Sequence, residues 1–191
     1  MAHKFKNTSV LVIETTEAAF NLARNVLASF GITKVFQSLD IDESFDTYRS
    51  LSPEVILVGA MDDFNAVLAF TKRIRLDRDS PDPLVPVILM MGAPSRGQVF
   101  TARDAGVSEF LIKPYTSRSM FLKIEGVIES PGTFVKAEEY FGPDRRRNKE
   151  GGFAGENRRT TAPLIVDAKE ARVLLKAHFQ SKNSTDDKEK E

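Results

Sequence analysis

The sequence predicts an α/β fold, a doubly wound parallel sheet of the (βα)5 kind, on three observations. Short runs rich in β-branched and apolar residues recur five times within the first 130 positions. Their starts lie at least 20 residues apart, which leaves room for a helix in every gap. The first, third and fourth runs are continuously apolar, as strands of a parallel sheet buried on both faces must be.

The first strand is read in SVLVIE, residues 9 to 14. Behind it Ala19, Ala23, Val26, Leu27 and Phe30 share one stripe at a period of 3.6, and Gly31 stands where a helix terminates. The second strand is KVFQSL, residues 34 to 39, followed by Asp40 and Glu43 at capping-box spacing. EVILVG, residues 54 to 59, is the third; Asp62 and Asp63 then place acidic charge at the start of a helix carrying Ala66, Val67, Phe70 and Ile74. VPVILMM, residues 85 to 91, leads into a short helix from Arg96 to Ala105. EFLIKP, residues 109 to 114, is the last strand, and its helix carries Phe121, Ile124 and Ile128 on one face. Right-handed crossovers give the strand order 2-1-3-4-5, with ligand sites outside the carboxyl ends of the strands.

Composition narrows the function. The 27 basic and 27 acidic residues cancel, which disfavours a globally cationic nucleic-acid binder. There is no cysteine, so disulfide frameworks and thiolate metal clusters are excluded, and His3 and His178 cannot build a histidine metal centre. No secretory lead or 18-residue apolar stretch is present, so a cytoplasmic location with no membrane role is expected. No nucleophile and base pair or phosphate-cradling glycine loop stands out, and no enzyme is expected.

At the predicted carboxyl ends stand Glu14 and Thr15, Gly59, Met91 and Lys113. The segments VLVIETTEAAF, PEVILVGAMDD, PVILMMGA and DAGVSEFLIKPY resemble the receiver domain of bacterial two-component response regulators over residues 8 to 130. The resemblance implies a flavodoxin-like receiver fold, a cis bond between Lys113 and Pro114, and phosphotransfer from a histidine kinase to an aspartate beside Mg²⁺. The residues depart from that inheritance. By the resemblance Glu14 and Thr15 occupy the two acidic positions, Gly59 the acceptor position and Met91 the hydroxyl position, while Lys113 and Pro114 are retained. Glycine offers no oxygen to attack phosphorus, and one remaining carboxylate is a poor shell for a hard octahedral cation. The expectation is a pseudo-receiver whose Mg²⁺ site is lost.

Asp62 and Asp63 read as helix-start charges, with substitute acceptors as the alternative. Without its usual anionic partner Lys113 is expected to pair with Glu14 across the pocket mouth, or else to reach solvent along its alkyl stem. Phe110 matches the aromatic that the family uses as a switch, and its other reading is plain core.

The remainder divides at residue 130. A lead of residues 1 to 7 precedes the receiver-like domain. From 131 to 191 only 12 of 61 residues are Val, Ile, Leu, Met, Phe or Tyr, so this extension is expected to be mostly extended or disordered. Within its arginine-rich part, 131 to 166, YFGPDRR at 140 to 146 and FAGENRR at 153 to 159 repeat the pattern aromatic, any, Gly, any, Asp or Asn, Arg, Arg. Arg145, Arg146, Arg147, Arg158 and Arg159 form a candidate anion site for cyclic di-GMP, RNA or an acidic protein surface, or simply keep a linker extended. Residues 167 to 180 suggest a short amphipathic helix capped by Asp167 and Glu170, and 181 to 191 are wholly polar. One such helix is no helix-turn-helix, so specific DNA binding is not expected. The expected partners are signalling proteins: a histidine kinase, or a motility or regulatory component.

Overall fold

A computed structural model describes residues 5–60, 63–137, 140–144, 164–167 and 171. Five parallel strands, β1 (Ser9–Ile13), β2 (Lys34–Ser38), β3 (Val55–Gly59), β4 (Val87–Met91) and β5 (Glu109–Ile112), form one sheet in the order β2-β1-β3-β4-β5. The helices between and after them are α1 (Glu17–Ser29), α2 (Ser44–Leu51), α3 (Phe64–Leu76), α4 (Arg96–Ala105) and α5 (Ser117–Glu129). This is the predicted receiver fold. The three continuously apolar runs are its central strands, buried at every position.

Alternate residues of those strands feed two cores. Leu11, Ile13, Ile56, Val58, Leu89 and Met91 face α2, α3 and α4, while Val10, Val12, Leu57, Ile88 and Met90 face α1 and α5. Phe5, expected in a polar lead, belongs to the second core. Its ring lies 5.5 Å from that of Phe121, which also meets Phe30 edge-on at 5.5 Å. An apolar ring removed from water outweighs the cost of ordering so short a terminal segment.

Caps explain where helices start. Thr16, Asp63, Ser95 and Thr116 each accept backbone amide bonds at the N-termini of α1, α3, α4 and α5. The spacing of Asp40 and Glu43 does not make a capping box. Asp40 instead accepts from the Asp42 amide in the turn before α2, whose N-cap Glu43 makes no side-chain cap bond. At the other end of α1, Gly31 is left-handed at φ 95°, as expected of a terminator.

Part of the extension is built of strands. Within it, β6 (Thr133–Ala137), β7 (Tyr140–Pro143) and β8 (Leu164–Asp167) form an antiparallel sheet in the order β7-β6-β8. Asp167 is the last residue of that strand, opposite Thr133. The rest of the 167 to 180 segment lies outside the described residues apart from Ala171. Low average hydrophobicity hid the cause: Phe134 is buried with Leu84, and Phe141, Val166 and Ala171 pack on that pair. A few apolar side chains suffice because they close onto a surface that the first domain already provides.

One buried polar group ties α2 to the loop before β4. Tyr48 Oη lies 2.8 Å from Ser80 Oγ, donates to the Asp82 carbonyl at 2.9 Å and accepts from the Asp82 amide at 3.0 Å. Burial raises its pKa from 10.0 to about 12. The folded state thus disfavours the phenolate, and the associated stability is complete below the unfolded value and lost as pH climbs toward about 12. Tyr48→Phe is expected to cost about 1–3 kcal/mol at neutral pH. It should also flatten the fall in stability above pH 10 relative to wild type, as read by urea unfolding across that range.

Candidate functional site

The carboxyl ends of β1, β3, β4 and β5 bring Glu14, Gly59, Met91 and Lys113 to one edge of the sheet. Glu14 directly follows β1, its amide donating to the Ser38 carbonyl at 3.1 Å. Its side chain turns into the protein and is 4% exposed. Such a carboxylate requires a partner. Lys113 supplies it: Nζ donates to Glu14 Oε1 at 2.6 Å, with the lysine side chain 32% exposed. Lys113 is held in turn by its amide, which donates to the Met91 carbonyl at 2.7 Å, and by the cis bond to Pro114.

Gly59 is where the geometry decides most. A Cβ at this position would stand 2.7 Å from Glu14 Cδ and 3.0 Å from Oε1, with Oε2 closer still. A side chain here therefore requires the Glu14 carboxylate, the far end of a flexible side chain, to move. In the observed arrangement the Glu14 carboxylate fills the volume that a residue 59 side chain would occupy. Sequence reasoning noted the missing oxygen at residue 59 but not that a neighbour stands in its place. The signal available was the pairing of a lone acid after β1 with a glycine ending the buried β3.

The other predicted residues divide. Thr15 is exposed, next to the N-cap Thr16, and takes no part in the Glu14–Lys113 pair. Met91 is buried in the core facing α2, α3 and α4. Phe110 lies opposite Leu89 in the sheet and packs, half-buried, against that same core. Asp63 Oδ1 accepts from the amides of Asn65 and Ala66, so its carboxylate serves the start of α3. Asp62 and the five arginines at 145, 146, 147, 158 and 159 lie outside the described residues. Tyr115, which sequence reasoning passed over, borders the site: burial and the nearby Glu14 charge both raise its pKa.

The first copy of the tail pattern has structural work. Tyr140 donates its hydroxyl to the Pro143 carbonyl at 2.9 Å, and a Cβ on Gly142 would come within 3.2 Å of Gly106 Cα. The close approach that glycine permits here is to the protein's own backbone.

No family profile matches the chain. Among curated relatives, the chemotaxis protein CheY homolog of Campylobacter jejuni is 24% identical over 121 residues, covering 62% of this chain and 91% of that protein. Chemotaxis protein CheY1 of Helicobacter pylori is 23% identical over 121 residues, covering 62% and 95%. Among solved structures, the Vibrio cholerae chemotaxis protein CheY4 superposes with a TM-score of 0.57 at 16% identity, over 63% of this chain and 98% of that one. A two-component response regulator from Clostridium difficile gives 0.57 at 17% identity, over 65% and 98%. The chain carries a CheY-like response-regulator receiver domain. Such a domain belongs to response-regulator signal transduction, and in this one the Glu14 carboxylate, bonded to Lys113, lies where a Cβ on Gly59 would stand.

This filling makes residues 14 and 59 interdependent. Gly59→Asp alone is expected to destabilise the protein by about 2 kcal/mol or more, through the clash and the second buried carboxylate. In a Glu14→Ala background the same substitution should cost at least about 1 kcal/mol less, with urea unfolding of the four proteins giving the coupling. Lys113→Ala should cost about 1–3 kcal/mol, below the usual loss for a buried pair because the lysine is partly solvated.

Proposed function

We propose that this protein is a non-enzymatic signal-transduction protein of the cytoplasm, an atypical response regulator that acts by protein–protein contact without aspartyl phosphorylation. The observation that carries this reading is the Glu14 carboxylate, bonded to Lys113 and occupying the space of a residue 59 side chain. Phosphoryl transfer in a receiver needs a nucleophilic oxygen there, and Gly59 has none. Nor do the donors fit a magnesium ion. The carboxylate at the edge is held by an ammonium, Thr15 offers a neutral hydroxyl, and Met91 contributes an apolar thioether to the core. The state of this receiver then follows from which partner binds, because a partner shifts a conformational equilibrium only through its differential affinity. A signalling protein, a histidine kinase or a motility component is the fitting class of partner. Among the described residues no helix is long and apolar enough to cross a membrane.

A second reading, a cyclic di-GMP effector, is favoured by the repeated arginine pairs between β7 and β8. Calorimetry with that nucleotide separates the two: binding that is lost when Arg145, Arg146, Arg158 and Arg159 become alanine would establish the effector.

The main reading is tested with acetyl phosphate and magnesium. Intact-mass measurement should find no phosphoryl addition on the wild-type chain. A stoichiometric, hydroxylamine-labile mark would overturn it, and its disappearance in the Asp62→Asn, Asp63→Asn double variant would identify a displaced acceptor.

A further inference from the structure

At the opposite end of the sheet from the pocket, α3 buries a charge. Arg75 is 3% exposed and lies on the same buried stripe as Leu68 and Thr71. Its Nε and Nη2 donate to the Gly106 carbonyl at 3.1 and 2.9 Å, and Nη1 donates to the carbonyls of Pro83 and Val85, each at 2.8 Å. Nη2 also reaches Ser108 Oγ at 3.3 Å, and that hydroxyl accepts from the Val87 amide at 3.2 Å. One planar guanidinium thus joins α3, the entry to β4 and the turn between α4 and β5. The turn is built around it. Gly106 caps α4 at φ 102°, and a Cβ there would lie 2.8 Å from Arg75 Cγ.

The C-terminal sheet closes this junction. The Phe134 ring of β6, 2% exposed, covers the guanidinium at 5.4 Å and packs on Leu84, which precedes β4. Gly142 of β7 brings its strand against Gly106, on the same turn that Arg75 holds. Three strands of four or five residues make a small sheet, and its Phe134, Phe141 and Val166 side chains pack with Leu84 of the first domain.

We propose that the C-terminal sheet is a clamp on the α4–β5 turn, acting through Phe134 on Arg75, and that its docking sets how firmly α4 is held. Docked, the ring excludes water from the guanidinium and strengthens its bonds to the turn carbonyls. Released, the guanidinium is hydrated and the turn loses a wall at both Phe134 and Gly142. Arg75 is a positioning residue, and the receiver has a second point of control that works whether or not the carboxyl-end pocket accepts a phosphoryl group.

Amide hydrogen exchange on the full chain tests this, comparing wild type with Phe134→Ala and Phe134→Tyr. Phe134→Ala should raise exchange across residues 99 to 112 roughly tenfold while β1 and α1 stay within about twofold. Phe134→Tyr, which keeps a ring over the charge, should behave as wild type. Unchanged protection of α4 while β6 to β8 become exposed would overturn the clamp. So would a uniform rise over all elements, which would mean a purely structural role. Should Phe134→Ala not fold, Gly142→Val takes its place as a wedge between β7 and Gly106 with the ring retained. The same local rise is then expected, and failure of both variants to fold also overturns the proposal.

Discussion

A carboxylate turned into a protein cannot stay there alone, and the Glu14–Lys113 bond at 2.6 Å is the constraint around which the carboxyl-end pocket is organised. It joins Lys113 to β1 and holds the carboxylate in the space that a side chain on Gly59 would enter. It also places negative charge beside Tyr115.

The two ends of the sheet answer the same electrostatic problem in different ways. At the carboxyl end a charge is neutralised by an opposite charge. At the other end Arg75 is solvated by backbone carbonyls and covered by an aromatic face. Carbonyls belong to particular turns, so the second solution binds segments of chain together, whereas the first binds two side chains. This difference is why the arginine end, and not the pocket, joins the first domain to the C-terminal sheet.

Local patterns carried most of the fold. Continuous apolar runs announced the central strands, and the 3.6-residue stripe with Gly31 announced α1. The short helix expected from Arg96 to Ala105 is α4, and the structure adds Ser95 and Gly106 as its caps. Failures arose where one or two side chains have an influence beyond their share of composition. Phe5 in a polar lead and Phe134 in a polar extension are each isolated in sequence, and each finds a prepared apolar surface far along the chain. Arg75 was legible in principle, as a charge on a buried stripe of α3, but its acceptors at 83, 85, 106 and 108 share no pattern with it.

By itself the sequence determined the receiver architecture, the absence of an oxygen at residue 59 and the presence of one acid and one lysine at the edge, because strand order and side-chain chemistry follow from local pattern and connectivity. Only the tertiary structure decided that the acid stands in the glycine's empty volume and that β6, β7 and β8 of the extension lie as a sheet beside Arg75. Those are facts of distance between residues as far apart in sequence as 14 and 113, or 75 and 134. Periodicity along a chain holds no information about such separations, since they are set by how whole elements pack.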